Sequence, residues 1–297
     1  MITEYFARLI CLSLAAFFVV HLGGGLAVAA ATAMVVRMVG RMRPRIAARI
    51  LLTLRFLPVA GGLFVVAVLC VPSYLWLEPG EAAEEVGPAC LVAAALAVAV
   101  WAFAIFRGSG TVLRSQRCIN AARDTAKPLV AVAGVLRPRL LLSNVIRQHL
   151  SRDQLAAALR HERAHITAWD NGKRLLLAFA PGLIPGVHGF SALERHWSRF
   201  TEWAADDDAI RGDADRALAL AGALVRVARL GGVAVPLAAG LLDGGDLSER
   251  VERLLFPAPE EPRDAQPIVV TAAAALTVVA FFATIMNTTF SYILRLK

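Results

Sequence analysis

Ser151-Arg-Asp-Gln-Leu-Ala-Ala-Ala-Leu-Arg-His-Glu-Arg-Ala-His165 is the most informative stretch of the chain. Ser151 followed three residues later by Gln154 has the form of a capping box, in which the hydroxyl accepts from one orphan backbone N–H and the amide reaches back to another. A helix is therefore expected to start here. It should run through Leu155 and Leu159 to about Asp170, where Asn171-Gly172 offers a stop or a bend. On such a helix His161 and His165, four residues apart, project from the same face one turn apart and can share a tetrahedral zinc ion. Glu162 stands beside that pair. The offset suits a general base, which must reach the activated water without taking up a coordination position. A helix surface with two chance histidines is the bland alternative, and deciding against it requires a third ligand.

Downstream, Arg199-Phe-Thr-Glu-Trp-Ala-Ala-Asp-Asp-Asp208 supplies Glu202, 37 residues after His165, and Asp206 one helical turn further on. The two carboxylates share a helix face, so one can bind the metal while the other accepts the free N–H of a ligand imidazole. Alone, this acidic run reads as a solvated helix face; beside the histidine pair, the ligand reading is preferred. Asp170 reads more readily as a helix cap than as a partner of a ligand imidazole. Upstream, Pro128 to Gly134 and Leu136 to Ser143 are short Val- and Leu-rich runs separated by Gly134 and interrupted by Pro138, which predicts an edge-strand pair. The domain carrying the histidines is thus expected to be α+β.

The chain around this domain is too apolar for a soluble protein: 58% of its 297 residues are hydrophobic and the mean hydropathy is +0.61. Its net charge of +8 raises the question of nucleic acid. The arginines, however, gather beside apolar stretches instead of interleaving with aromatics, so no direct nucleic-acid partner is expected. Cys11, Cys70, Cys90 and Cys118 form no CxxC pair and predict neither a disulfide framework nor a cysteine metal site.

Four stretches meet the roughly 20-residue requirement for crossing the hydrocarbon core, at approximately Leu9 to Val36, Phe56 to Leu77, Ala89 to Phe106 and Ile268 to Phe290. The first is too long for a signal peptide and lacks a basic leading segment, so it is expected to be retained. Arg37, Arg41, Arg43, Arg45, Arg49 and Arg55 are read as a loop between the first two spans. The next connection carries Glu78, Glu81, Glu84 and Glu85. By the positive-inside rule the Arg loop is cytoplasmic, as are Arg107, Arg114, Arg117, Arg123 and Lys127 after the third span. The expectation is an α-helical integral protein of the plasma membrane with both termini extracytoplasmic. Residues 1–106 form three spans, 107–267 a cytoplasmic α+β zinc peptidase domain ending in a Pro- and acid-rich linker, and 268–297 the fourth span and a short tail.

These residues together resemble the gluzincin metalloproteases, and among them the BlaR/MecR family of membrane sensor-transducer peptidases. The resemblance rests on Gly134-Val-Leu-Arg-Pro-Arg-Leu-Leu-Leu-Ser143, the His161-Glu-Arg-Ala-His165 helix with Asp170, the Glu202 and Asp206 pair, and three spans before the domain with one after it. It implies a zinc endopeptidase in which His161, His165 and Glu202 bind the metal, Glu162 is the general base and Asp206 orients a ligand histidine. It also implies a peptide or protein substrate in the cytoplasm or membrane, a transcriptional repressor among the candidates. The sequence departs from the family in ending at Lys297 with no penicillin-binding sensor domain, so sensing would fall to a separate partner protein. It departs again in Ala180-Pro-Gly-Leu-Ile-Pro-Gly-Val-His-Gly-Phe190, which lacks an aromatic-Asn-Pro pattern and suits a hairpin dipping into the membrane lipid.

Two other functions compete. One is a quality-control or processing protease of the HtpX or CAAX type, which would place further spans after the histidine helix. The other is a catalytically silent membrane scaffold. His21, deep in the first span, reads as a neutral imidazole bonded to a neighbouring helix. His188 and His196 are left unassigned; Arg250 and Arg253, in Leu247-Ser-Glu-Arg-Val-Glu-Arg-Leu254, resemble a form seen at the end of related peptidase domains, where an Arg can lie near the cleft, and a salt-bridged helix face accounts for them equally well.

Overall fold

The computed structural model describes residues 2–77, 86–124, 130–135, 137–184, 186, 189–231, 239–240 and 247–256. Helix α1 (Ile2–Val39) is followed by α2 (Pro44–Phe64), which continues through a π-helical stretch, Val65–Cys70, into α3 (Val71–Leu77); α4 is Pro88–Asp124. Three helical runs, Thr3–Val39, Pro44–Trp76 and Pro88–Ala121, are long and apolar enough to cross a membrane. They pack about Phe17, Phe18, Val59, Ala97 and Val100. Gly62 allows the close approach of α1 to α2, since a Cβ there would lie 2.8 Å from the Phe17 ring.

The arginine loop expected between the first two spans is largely absent. Only residues 40–43 separate α1 from α2, because Pro44, having no N–H to leave unsatisfied, starts a helix readily. Arg45, Arg49 and Arg55 therefore lie on α2, and Arg55 is buried. Likewise α4 runs past Arg107 to Asp124, so the third span and the residues after it form one continuous helix. The expected fourth span, the expected linker from Phe256 to Pro267 save its first residue, and the Glu-rich connection at 78–85 lie outside the described residues.

Beyond α4 comes a small antiparallel sheet of β1 (Val130–Ala133), β2 (Arg139–Leu142) and β3 (Ala239–Gly240), in the order β2-β1-β3. The two expected strands do pair, but β1 is the central strand and not an edge, because β3 arrives from about 100 residues downstream to cover it. The remaining elements are helices: α5 (Asn144–His149), α6 (Arg152–Ala168), α7 (Asp170–Phe179), α8 (Ser191–Ile210), α9 (Ala214–Arg229) and α10 (Leu247–Leu255). Both halves of the capping box at Ser151 and Gln154 are formed.

Val130, Ile146, Ala157, Ala158, Ala209, Leu220, Leu224 and Leu254 join β1, α5, α6, α8, α9 and α10 into one core. Leu220 and Leu224, one turn apart and fully buried, each contribute about 1.5–3 kcal/mol of apolar burial. Helix α8 belongs to a second core as well. Its Leu193, Trp197 and Phe200 pack among Val28, Val35 and Val39 of α1 and Leu51 and Leu54 of α2. One face of α8 is thus committed to the apolar helices, while a different face carries Glu202 and Asp206.

Candidate metal centre

Helix α6 carries His161 and His165 on its inner face, and α8 brings Glu202 to meet them. Their ligand atoms all lie within 4.8 Å of one another, and all three residues are buried. The two Nε2 atoms are 3.1 Å apart; Glu202 Oε2 is 3.4 Å from His161 Nε2 and Oε1 is 3.5 Å from His165 Nε2.

A carboxylate stands behind each imidazole. Asp206 Oδ1 is 2.9 Å from His161 Nδ1, and Asp170 Oδ2 is 2.8 Å from His165 Nδ1. A carboxylate at Nδ1 favours the tautomer with its proton there, leaving the Nε2 lone pair for a metal. Two such lone pairs and the Glu202 carboxylate then face one another across a gap too small for three unneutralised acceptors. The donor set therefore fits a divalent cation held by His161, His165 and Glu202. Glu162, Asp170, Glu202 and Asp206 are all buried, and among the described residues Lys173, Arg174 and Arg250 oppose them through ion pairs.

Asp170 occupies this place because of an uncommon backbone. Trp169 takes the left-handed conformation at φ 58, which ends α6 and precedes α7. Such a conformation costs a non-glycine residue about 1–2 kcal/mol. Its ring lies over Gly172, where a Cβ would come within 2.5 Å of Trp169 Cδ2. Asn171 fastens the turn to the sheet by donating to the carbonyls of Val132 and Gly134 at 2.7 and 3.0 Å. Asp170 was expected to cap a helix; the bend at Trp169 instead aims it at His165.

Two arginines hold Glu202 and Asp206. Arg174 from α7 donates to Glu202 Oε1 at 3.0 Å. Arg250 from α10 is buried, not on a solvated face; it donates to both oxygens of Asp206, at 2.9 and 2.7 Å, and lies 3.3 Å from Glu202 Oε2. No spacing rule relates Arg174 or Arg250 to the histidines, so neither was assigned from the sequence. Glu162 is fully buried beside the ligands on α6. His196 is half-buried on α8 outside the ligand group, and His188 lies outside the described residues.

The electrostatics reflect these contacts. Burial disfavours charge on His165, but Glu202, Asp170 and Glu162 outweigh it and lift the imidazole to about 10 when no metal competes. His161 is raised in the same way, against burial, by Asp206 and Glu202. Burial would raise both Glu202 and Asp206. His165, His161 and Arg250 nonetheless hold Glu202 well below the usual carboxylate range, and Arg250 with His161 holds Asp206 at about 2.

His21 Nε2 is 2.7 Å from the carbonyl oxygen of Gly182, in the connection between α7 and α8, and the ring also interacts with the backbone of Pro58 on the neighbouring helix α2. No protein-family model matches the chain, and neither the curated proteins nor the solved structures compared with it include a match.

Proposed function

We propose that this protein is a membrane-bound zinc endopeptidase, with His161, His165 and Glu202 as the metal ligands and Glu162 as the general base. The observation that carries the proposal is the convergence of two Nε2 lone pairs and a carboxylate beside the glutamate of a His-Glu-x-x-His helix. Zinc is favoured among divalent ions by the donor spacing. Bonds of about 2.0–2.1 Å at tetrahedral angles put neighbouring donors about 3.3 Å apart, close to the 3.1, 3.4 and 3.5 Å found here. The nitrogen-rich donor set also argues against calcium or magnesium.

Bound there, zinc would supply a Lewis acid that polarises water and the scissile carbonyl. Glu162 takes the proton from the attacking water and delivers it to the departing amine. Asp170 and Asp206 keep both imidazoles in the ligating tautomer, while Arg174 and Arg250 fix the Glu202 carboxylate. The likeness to BlaR/MecR-type peptidases agrees with this assignment, and the arginines at one end of the apolar helices favour a cytoplasmic peptidase part by the positive-inside rule.

The test is metal analysis of detergent-purified protein beside Glu202→Ala. Near-stoichiometric zinc in the wild type and its marked loss in the variant are expected. Absence of zinc from both after repletion would leave a silent scaffold as the better reading.

A further inference from the structure

The position of the metal centre along the apolar helices defines what can reach it. From Phe56 to Leu77 no residue is charged, a run of 22 residues that spans about 33 Å as helix, close to the thickness of a hydrocarbon core. Arg55 ends that run on α2. Residues 88–106 of α4 are likewise uncharged and end at Arg107. The two arginines donate to the same atom, the carbonyl oxygen of Ala180, at 3.4 and 2.7 Å. Two helices therefore end their uncharged runs at one level, taken as the membrane boundary, while the uncharged run of α1 extends to Val36.

On the apolar side of that level, Gly182 bonds His21, and Leu183 and Phe190 pack onto Gly25 of α1. On the other side α8 descends along α2, from the Arg55–Glu194 pair at 2.6 Å to the Arg45–Asp208 pair. Glu202 lies eight residues past Glu194, about 12 Å along the helix. The headgroup layer accounts for about 5–7 Å of that distance. The elements flanking the histidines also expose Ile166, Trp169 and Leu176, and tryptophan favours the membrane interface.

We infer that the substrate is a membrane-anchored polypeptide, cut in the segment just beyond its own membrane-spanning stretch. This inference rests on the proposed peptidase reading and narrows it. An extended chain advances about 3.3 Å per residue, so a peptide leaving the bilayer reaches the metal centre after about four residues. A freely diffusing folded protein would have to present a peptide bond almost against the headgroups.

The experiment uses the full chain in liposomes with two substrates: one apolar spanning helix followed by an unstructured linker of mixed sequence, and the same linker alone. Tethering should raise cleavage at least about tenfold through effective concentration, with cuts mapped by mass spectrometry to within about eight residues of the span. Equal cleavage of the free linker, or cuts scattered along the tethered one, would overturn the inference while leaving the peptidase standing. Cleavage of neither substrate above the level of Glu162→Gln would overturn the peptidase reading and the inference with it. A readout independent of catalysis is the depth of a nitroxide on the exposed Thr167→Cys, introduced after the four native cysteines are replaced by alanine. Power saturation should place it within about 15 Å of the hydrocarbon boundary; a position farther into water overturns the inference.

Discussion

Arg250 holds Asp206 by two hydrogen bonds, at 2.7 and 2.9 Å, and Asp206 in turn stands 2.9 Å from Nδ1 of His161. A cation on α10 thereby reaches, through Asp206, one imidazole of the candidate metal group on α6. Arg250→Ala would strand the buried charge of Asp206, while Glu202 keeps Arg174, at a cost of about 3–5 kcal/mol of stability. Metal affinity should also fall about 10–100-fold, as for other groups that orient a ligand. Arg250→Lys cannot reproduce the two-pronged geometry and should recover only part of either quantity. Thermal unfolding with and without metal, beside a zinc competition titration, measures both; unchanged affinity in Arg250→Ala would remove the positioning role.

The protonation of His165 would make metal uptake by the proposed site dependent on pH. Its value is raised to about 10, so the ion pairs it forms support the metal-free fold fully below about pH 6.5, and that support is lost as pH rises through about 10. Asp206 has the opposite sign. Held at about 2, it contributes above its ordinary value of 3.8, and the contribution is lost as pH falls through about 2. A metal requires neutral imidazole and must expel the proton, so apparent affinity should climb up to about tenfold per pH unit for each proton released, levelling near pH 10. Calorimetric titrations at neutral pH in buffers of different ionisation enthalpy should reveal the released protons. Identical heats would contradict the proposed exchange.

Glu162→Gln separates binding from chemistry. The amide keeps the side chain's size but cannot take a proton at neutral pH, so the variant should retain the metal and lose at least about 100-fold in turnover. Loss of the metal together with the activity would mean that Glu162 serves the metal site itself and is not a base.

Arg55 and Glu194 link the apolar helices to the helix that bears Glu202. Arg55 Nε donates to Glu194 Oε1 at 2.6 Å, and its guanidinium lies 4.2 Å from the centre of the Phe190 ring. Removing the charge in Arg55→Met should destabilise the protein by up to about 3–5 kcal/mol, because Glu194 loses the cation bonded to it while keeping the charge of Arg107 opposite it. Glu194→Gln in the same chain should restore part of the loss, and a double-mutant cycle followed by thermal unfolding would measure the coupling. Strict additivity would mean that the pair carries no coupling.

What depends on local periodicity was legible in the order of residues. A four-residue spacing puts His161 and His165 on one face of any α-helix, and the same spacing aligns Glu202 with Asp206. The Ser151 cap is a relation among neighbouring residues, and long uncharged runs mark helices long and apolar enough to cross a membrane without reference to anything else. Tertiary structure alone decided the pairings between distant elements. The left-handed turn at Trp169 gave Asp170 to His165, and the packing of α10 and α7 around α8 brought Arg250 and Arg174 to the carboxylates. Packing against α1 and α2 similarly turned Arg55 from an expected loop residue into a buried anchor. An ion pair between distant segments has no fixed spacing along the chain, because its partners meet only when apolar faces elsewhere have chosen how their helices pack.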